Sequence, residues 1–108
     1  HLRDFIHVDD CCKVIEYLRC KKTKNVIFNV GTGKPTTFMK IAEIIVSYLK
    51  LNKDAIKFIP FPDSLKGKYQ SFTCADLTNL IEDGFCNEFI GISDGIKSYI
   101  NYLNNERN

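Results

Sequence analysis

Residues 26–37 read VIFNVGTGKPTT and contain the pattern that decides the fold class of this chain. The run 26–30 is rich in β-branched and aromatic residues, which favours a short strand. Two glycines and Pro35 end that run, and Thr36 or Thr37 can cap a helix directly afterwards. A strand, a tight turn and an amphipathic helix in succession indicate an α/β protein. The apolar side of the helix comprises Phe38, Ile41, Ile45, Tyr48 and Leu49.

Short strands and helices also alternate on either side of this unit. Upstream, residues 4–8 (DFIHV) form a strand-like run, and Asp9 or Asp10 can cap a first helix. Downstream, residues 56–59 (IKFI) predict a further strand. Residues 60–72 predict a long loop, because prolines and a glycine break every period there. The inward face of the first helix comprises Cys11, Val14, Ile15 and Leu18.

Two more helices are predicted in the last third of the chain. Thr73 and Asp76 have the spacing of a capping box for a helix that ends near Gly84. A last helix begins at Ser93 or Asp94, so short strands alternate with about four helices in the α/β chain as a whole. The inward-facing residues of the last helix are Ile96, Ile100 and Leu103.

The length and composition are those of one globular domain spanning residues 1–108. Hydrophobic residues make up 44% and charged residues 26%, which is typical neither of a disordered tail nor of a fibre. The longest apolar runs are a few residues, so neither a membrane span nor a signal-peptide core is predicted. Five cysteines without a Cys-x-x-Cys spacing predict free thiols that behave as small buried hydrophobes in a reducing cytosol. With only two histidines in the chain, no metal site is predicted.

Positive charge is concentrated in residues 1–68, which hold 13 basic and 7 acidic side chains, a net charge of +6. Residues 69–108 hold 2 basic and 6 acidic side chains, a net charge of −4. A chain polarised in this way can present a basic face to a small anion such as a phosphate. Its cations are not interleaved with aromatic residues and form no recognition helix, so nucleic acid is not a predicted partner.

Three short patterns are candidates for ligand binding. Residues 31–33 (GTG) lie where backbone amides can bind phosphate, but Thr36 replaces the third glycine of the dinucleotide pattern, which favours a plain structural turn. Arg3 beside Asp4 supplies a planar fork of donors, suited to an anion or to a surface ion pair. Residues 66–70 (KGKYQ) are consistent with a loop that closes over an anion and also with an exposed turn.

The chain lacks the residue sets that carry out catalysis. It contains no evident Ser, His and Asp set, no carboxylate pair in a shared setting and no Tyr-x-x-x-Lys segment for hydride transfer. We therefore expect the chain by itself to catalyse nothing.

Five stretches together resemble a known family. Residues 3–10 (RDFIHVDD) and 28–33 (FNVGTG) are similar to the C-terminal part of the extended short-chain dehydrogenase/reductase superfamily, which includes nucleotide-sugar epimerases and dehydratases. Residues 58–63 (FIPFPD), 65–73 (LKGKYQSFT) and 75–80 (ADLTNL) resemble more narrowly the ADP-L-glycero-D-manno-heptose 6-epimerases of bacterial lipopolysaccharide inner-core synthesis.

The resemblance runs from Leu2 to about Leu103 and implies the substrate-binding part of such an enzyme. In that family an N-terminal Rossmann half binds NADP and carries the catalytic tyrosine and lysines, and this chain has no matching segment. The resemblance implies substrate contacts at Arg3 and Tyr69. Lys68 stands where an arginine is also found, so a point charge replaces a planar fork there. No catalytic, cofactor-binding or metal-binding residue is expected within the chain.

The resemblance also implies partners. These are an ADP-heptose substrate, NADP in the full-length enzyme, and the N-terminal half, against which the first helix and the 26–30 strand would pack. A homo-oligomeric, cytoplasmic full-length enzyme is expected. Two alternatives stay open: a part of another nucleotide-sugar epimerase or dehydratase, and a noncatalytic interaction domain with the same fold.

Overall fold

The computed structural model describes residues 1–21 and 27–106, and within these ranges the chain forms four α-helices and a two-stranded sheet. The strands are β1 (Leu2–Arg3) and β2 (Thr36–Thr37), which pair antiparallel with Leu2 opposite Thr37 and Arg3 opposite Thr36. The α/β class and the four helices predicted from the sequence are confirmed. The helices are α1 (Val8–Arg19), α2 (Phe38–Tyr48), α3 (Thr78–Glu82) and α4 (Ile92–Glu106).

The strand predicted for residues 4–8 is wrong, because hydrogen bonds with side chains replace a strand ladder there. The Asp4 amide donates to Thr73 Oγ1 over 3.2 Å. The His7 side chain accepts from the Asp9 amide over 3.0 Å and so caps α1 ahead of either predicted aspartate. Helix α1 therefore begins at Val8, inside the run that alternates like a strand.

The strands predicted at residues 26–30 and 56–59 are also wrong. Val26 lies outside the described residues, and residues 27–30 form no strand. The Ile27 carbonyl accepts instead from the Asn79 side chain over 3.3 Å. Residues 56–59 pair with no described strand, and Phe58 is 83% exposed. The predicted loop over residues 60–72 is confirmed, with one short 3-10 turn at Asp63–Leu65.

Helix boundaries follow the local capping bonds. Thr37 caps α2 by accepting from the Lys40 amide over 3.0 Å, as predicted. The capping box at Thr73 is wrong: Asp76 Oδ1 accepts from the Thr78 amide over 3.0 Å, and α3 begins four residues later than that cap implies. The chain leaves this helix at Gly84, which has a positive φ of 96°, as predicted for a glycine after a helix.

The core lies between α1 and the segment that includes α3. Val14, Leu80 and Phe85 are its buried apolar side chains. Asp10 is also buried, and its Oδ2 accepts from the Ile90 amide over 2.8 Å, which ties α1 to the residues before α4. The residues packed around this core are Tyr17, Leu18, Phe28, Leu77 and Phe89.

Two expectations about buried side chains are wrong. Ile15 is 64% exposed, because Asp10, Val14 and Tyr17, at helical spacing, take the inner positions of α1. The five cysteines are free, but Cys12 and three others are exposed rather than buried. The other exposed cysteines are Cys20, Cys74 and Cys86.

Helices α2 and α4 pack against each other and, with residues 5–8 and 90–92, enclose an apolar groove of about 540 Å³. Leu103 lines this groove but is 41% exposed, so its predicted inward position holds only in part. No helix in the described ranges combines the length and apolar character needed to cross a membrane.

Candidate functional site

Arg3 and Tyr69, predicted separately as substrate contacts, lie against each other. The Arg3 guanidinium carbon is 4.6 Å from the centroid of the Tyr69 ring. The same carbon is 5.8 Å from the centroid of the Phe38 ring at the start of α2. The guanidinium therefore lies among aromatic rings contributed by two parts of the chain.

Backbone pairing holds the loop of Tyr69 next to β1. The Leu2 amide donates to the Ser71 carbonyl over 2.8 Å, and the Thr73 amide donates to the Leu2 carbonyl over 3.0 Å. Leu2 and Phe72 form an isolated parallel bridge. Arg3 Nη2 also donates to the Gln70 carbonyl. The end of the long loop thus runs beside β1, which places residue 69 close to residue 3.

The Asp4 carboxylate connects this region to the 31–33 turn. Its Oδ1 accepts from the Thr32 amide over 2.8 Å and from the Thr32 hydroxyl over 2.6 Å. Its Oδ2 accepts from the amides of Gly33 over 2.9 Å and Ala75 over 3.0 Å. One side chain therefore fixes two segments of the chain, the 31–33 turn and the residues around Ala75, relative to Arg3.

These bonds determine the charge state of Asp4. Burial by itself favours the neutral acid, but the bonds from the Thr32 hydroxyl and from the amides of Ala75, Thr32 and Gly33 outweigh it and hold the pKa of Asp4 below its ordinary value. Asp4 is accordingly a carboxylate at neutral pH. Because the Thr32 and Gly33 amides already bind that carboxylate, the turn serves a structural purpose, and its amides are not available to a phosphate or a dinucleotide.

Gly31 in this turn has no space for a side chain. A Cβ built there would lie 2.6 Å from the Ala75 Cβ and 2.6 Å from Asp4 Oδ2. Glycine is therefore required at this position, because Ala75 and Asp4 approach its Cα too closely for any side chain. The sequence pattern predicted a tight turn here but not this close approach.

An aromatic cluster that the sequence did not single out surrounds Tyr69. The Phe61 ring lies edge to face with the Tyr69 ring at 5.3 Å between centroids. The His1 ring is 5.0 Å from Tyr69 and 6.0 Å from Phe61. The signal in the sequence is the presence of Phe61, Tyr69 and Phe72 in the 60–72 loop, which does not indicate which rings meet.

Lys68 is not brought to Arg3. It is exposed, and in the described part of the chain its side chain has no hydrogen bond or ion pair. Its neighbour Lys66 pairs with Asp63 over 2.9 Å. Gly67 between the two lysines has a positive φ of 76°. Of the three predicted residues, the structure therefore brings Arg3 and Tyr69 together and leaves Lys68 in solvent.

The chemistry available at this site is binding. A guanidinium is always charged and donates to oxygen anions, and the rings beside it offer flat apolar faces. The Asp4 carboxylate is fully engaged by donors and is not placed as a proton acceptor for a ligand. Among the described residues, no three His, Cys, Asp or Glu side chains cluster as a metal site would need.

No protein-family model matches this sequence. Among solved structures, the chain is similar to dTDP-glucose 4,6-dehydratase from Bacillus anthracis, determined in complex with NAD. The TM-score is 0.81 at 18% sequence identity, and the match covers 99% of this chain and 33% of the dehydratase. The chain therefore spans about a third of the length of that dehydratase and has the α/β fold of the part that it matches.

Proposed function

We propose that this chain is the substrate-binding part of an enzyme acting on nucleotide sugars, and specifically of an ADP-glyceromanno-heptose 6-epimerase. That enzyme interconverts ADP-D-glycero- and ADP-L-glycero-D-manno-heptose for lipopolysaccharide inner-core synthesis. The observation that carries the proposal is the contact between Arg3 and Tyr69, the two positions at which the sequence resemblance implies substrate contacts.

The surroundings of Arg3 suit a diphosphate group. The residue is partly buried at the sheet, so its guanidinium is held in place rather than free to move with solvent. Nη1 and Nη2 donate to the carbonyls of Leu2 and Gln70, which orients the fork and leaves further N–H donors of the five for an oxygen anion. Charge-assisted bonds of this kind are about twice as strong as neutral ones.

The remaining parts of the reaction belong to the full-length enzyme. The 31–33 turn does not fit a dinucleotide, because its amides bind Asp4. We assign NADP binding and hydride transfer to an N-terminal half that would pack against α1 and residues 27–30. The full-length enzyme would be a cytoplasmic homo-oligomer, and the chain alone would be an inactive single domain.

Two other functions give different outcomes in a binding experiment. A part of another nucleotide-sugar epimerase or dehydratase would prefer a different nucleotide, and the dTDP-glucose dehydratase fold gives this alternative its support. An interaction domain would bind no nucleotide sugar at all.

Calorimetric titration of the chain with ADP-heptose, UDP-glucose and dTDP-glucose distinguishes these possibilities. The proposal expects saturable binding that is tightest for ADP-heptose and weakened in Arg3→Gln. Arg19→Gln is the matched control, because Arg19 is an exposed arginine on α1 paired with Glu16 over 2.6 Å. Preference for UDP-glucose or dTDP-glucose would overturn the heptose assignment, and binding of none would overturn the nucleotide-sugar function. Epimerase activity of the chain alone would contradict its proposed inactivity.

A further inference from the structure

Phe61 presents a partly exposed aromatic ring beside the proposed substrate site. The residue is 39% exposed and meets the Tyr69 ring edge to face, while Tyr69 in turn contacts the Arg3 guanidinium. Tyr69 therefore contacts both Arg3 and Phe61. Phe61 and His1 contribute the other two rings of this cluster.

Two prolines hold the ring in this position. Pro60 and Pro62 flank Phe61, and proline fixes φ, so the backbone on both sides has little freedom. Pro62 also begins the turn Asp63–Leu65, whose Leu65 amide donates to the Pro62 carbonyl over 3.0 Å. A ring held in advance loses less conformational entropy when a ligand stacks on it.

The Phe61 ring already accepts a flat heteroaromatic partner. The His1 imidazole lies nearly parallel to it, with 11° between the planes and 6.0 Å between centroids. A purine or pyrimidine is also a flat ring with nitrogen atoms. Any nucleobase can stack on an aromatic side chain, regardless of its pattern of hydrogen-bond donors and acceptors.

The distance to Arg3 suits a single nucleotide. The Arg3 guanidinium carbon and the Phe61 centroid lie 4.6 Å and 5.3 Å from the Tyr69 centroid, so they are at most 9.9 Å apart. In a nucleoside diphosphate the base and the phosphates are separated by one ribose. The cation and the ring are therefore close enough for one nucleotide to reach both.

We propose that Phe61 is the stacking platform for the nucleobase of the nucleotide sugar whose diphosphate binds Arg3. This inference rests on the proposed function and adds to it the residue that binds the base. Stacking accounts for affinity toward the nucleotide, whereas it contributes nothing to the binding of a phosphate group alone.

Calorimetry with ADP and with inorganic pyrophosphate separates the two contributions. Phe61→Leu keeps an apolar side chain but removes the ring, and we expect it to weaken ADP binding about tenfold, or about 1.4 kcal/mol, within the range known for one stacked base. Pyrophosphate binding should be unchanged in Phe61→Leu, and Phe61→Tyr should bind ADP as the unaltered protein does. Phe58→Leu is the control, since Phe58 is 83% exposed and has no ring contact with another described residue.

Each outcome bears on one of the two proposals. Unchanged ADP affinity in a folded Phe61→Leu protein, checked by thermal melting, would overturn the stacking platform and leave the proposed function standing. Equal losses for ADP and pyrophosphate would also overturn it, because they would indicate a disturbed loop. If the unaltered protein bound neither compound, the proposed function itself would fail.

Discussion

The guanidinium of Arg3 lies over the ring of Tyr69 at 4.6 Å, although the two residues are far apart in the sequence. The contact depends on the pairing of Leu2 with Ser71 and Thr73, which runs the end of the long loop along β1. A cation over an exposed aromatic ring contributes about 0.5–1 kcal/mol. The contact thus helps to hold the loop beside the strand before any ligand arrives.

Arg3→Ala should weaken substrate binding in the full-length enzyme if that enzyme is the proposed epimerase. It removes charge-assisted hydrogen bonds worth about 1.5–3 kcal/mol, which corresponds to a rise in KM of roughly one to two powers of ten. Because Arg3 moves no proton, kcat should change much less. Steady-state kinetics on folded protein measures this, with Arg19→Ala as the exposed control. An unchanged KM would remove Arg3 from the site.

Tyr69→Phe and Tyr69→Ala should have different KM values, because Tyr69 contacts Arg3 through its aromatic ring. Phenylalanine keeps the ring over the guanidinium and the edge-to-face contact with Phe61. Alanine removes both contacts. We expect KM within about twofold of the unaltered value for Tyr69→Phe and a rise of about tenfold for Tyr69→Ala. Similar KM values for the two variants would contradict a function for the ring.

Asp4 should make the stability of the protein depend on acid pH. Four hydrogen bonds lower the pKa of Asp4 in the folded protein, so the folded state binds its proton less readily than the unfolded chain does. The stabilisation is complete above the carboxyl's pKa in the unfolded chain and is lost as the pH falls through the lower pKa of the folded protein.

Urea unfolding of Asp4→Asn over a series of pH values measures this contribution. The variant should be less stable at pH 7 and should lose less stability on acidification than the unaltered protein. Asp76 and Glu16, whose pKa values are lowered by bonds from Thr78 and Arg19, keep their own share of the acid dependence in both proteins. Identical slopes of stability against pH would contradict the effect of Asp4.

Gly31→Ala should destabilise the fold around the site. The added Cβ would approach the Ala75 Cβ and Asp4 Oδ2 to 2.6 Å, so the turn or residues 73–75 must shift. Overpacking of this kind costs about 1–3 kcal/mol, measurable by urea unfolding. Gly91→Ala is the matched control, because nothing lies within 4 Å of a Cβ there. Equal stability of the two variants would contradict the close approach.

The presence of four helices and the cap of α2 were predictable from the sequence, and the strands were not. Thr37 caps α2 through a bond three residues along the chain, so local sequence contains the information for that boundary. The segments at residues 4–8 and 27–30 have strand-like composition, yet Asp4 and Ile27 bond to side chains distant in the sequence. The composition of a segment does not identify hydrogen-bond partners that lie far away in the sequence.

In the candidate site, too, the sequence predicted individual residues but not the long-range contacts between them. Arg3 and Tyr69 were identified by the resemblance, since each lies in a motif. Their contact, and the ring of Phe61 beside it, depend on how the loop is paired with β1. The Asp4 carboxylate was recognised only as a neighbour of Arg3, because three of its four bonds come from amides, which leave no mark on the sequence.

The chain should expose apolar surface when it is studied alone. Ile15 on α1 and Ile27 are 64% and 73% exposed, on the two segments that we expect to meet an N-terminal half. Apolar patches of this kind promote self-association and bind hydrophobic dyes. Ile15→Lys should reduce self-association and dye binding without loss of thermal stability, because the exposed Ile15 side chain makes no buried contact. Val14→Ala changes the neighbouring buried position and should lower the free energy of unfolding by about 0.5–3 kcal/mol. A monomer in sedimentation velocity that binds no dye would contradict the prediction and the packing of α1 against a second half.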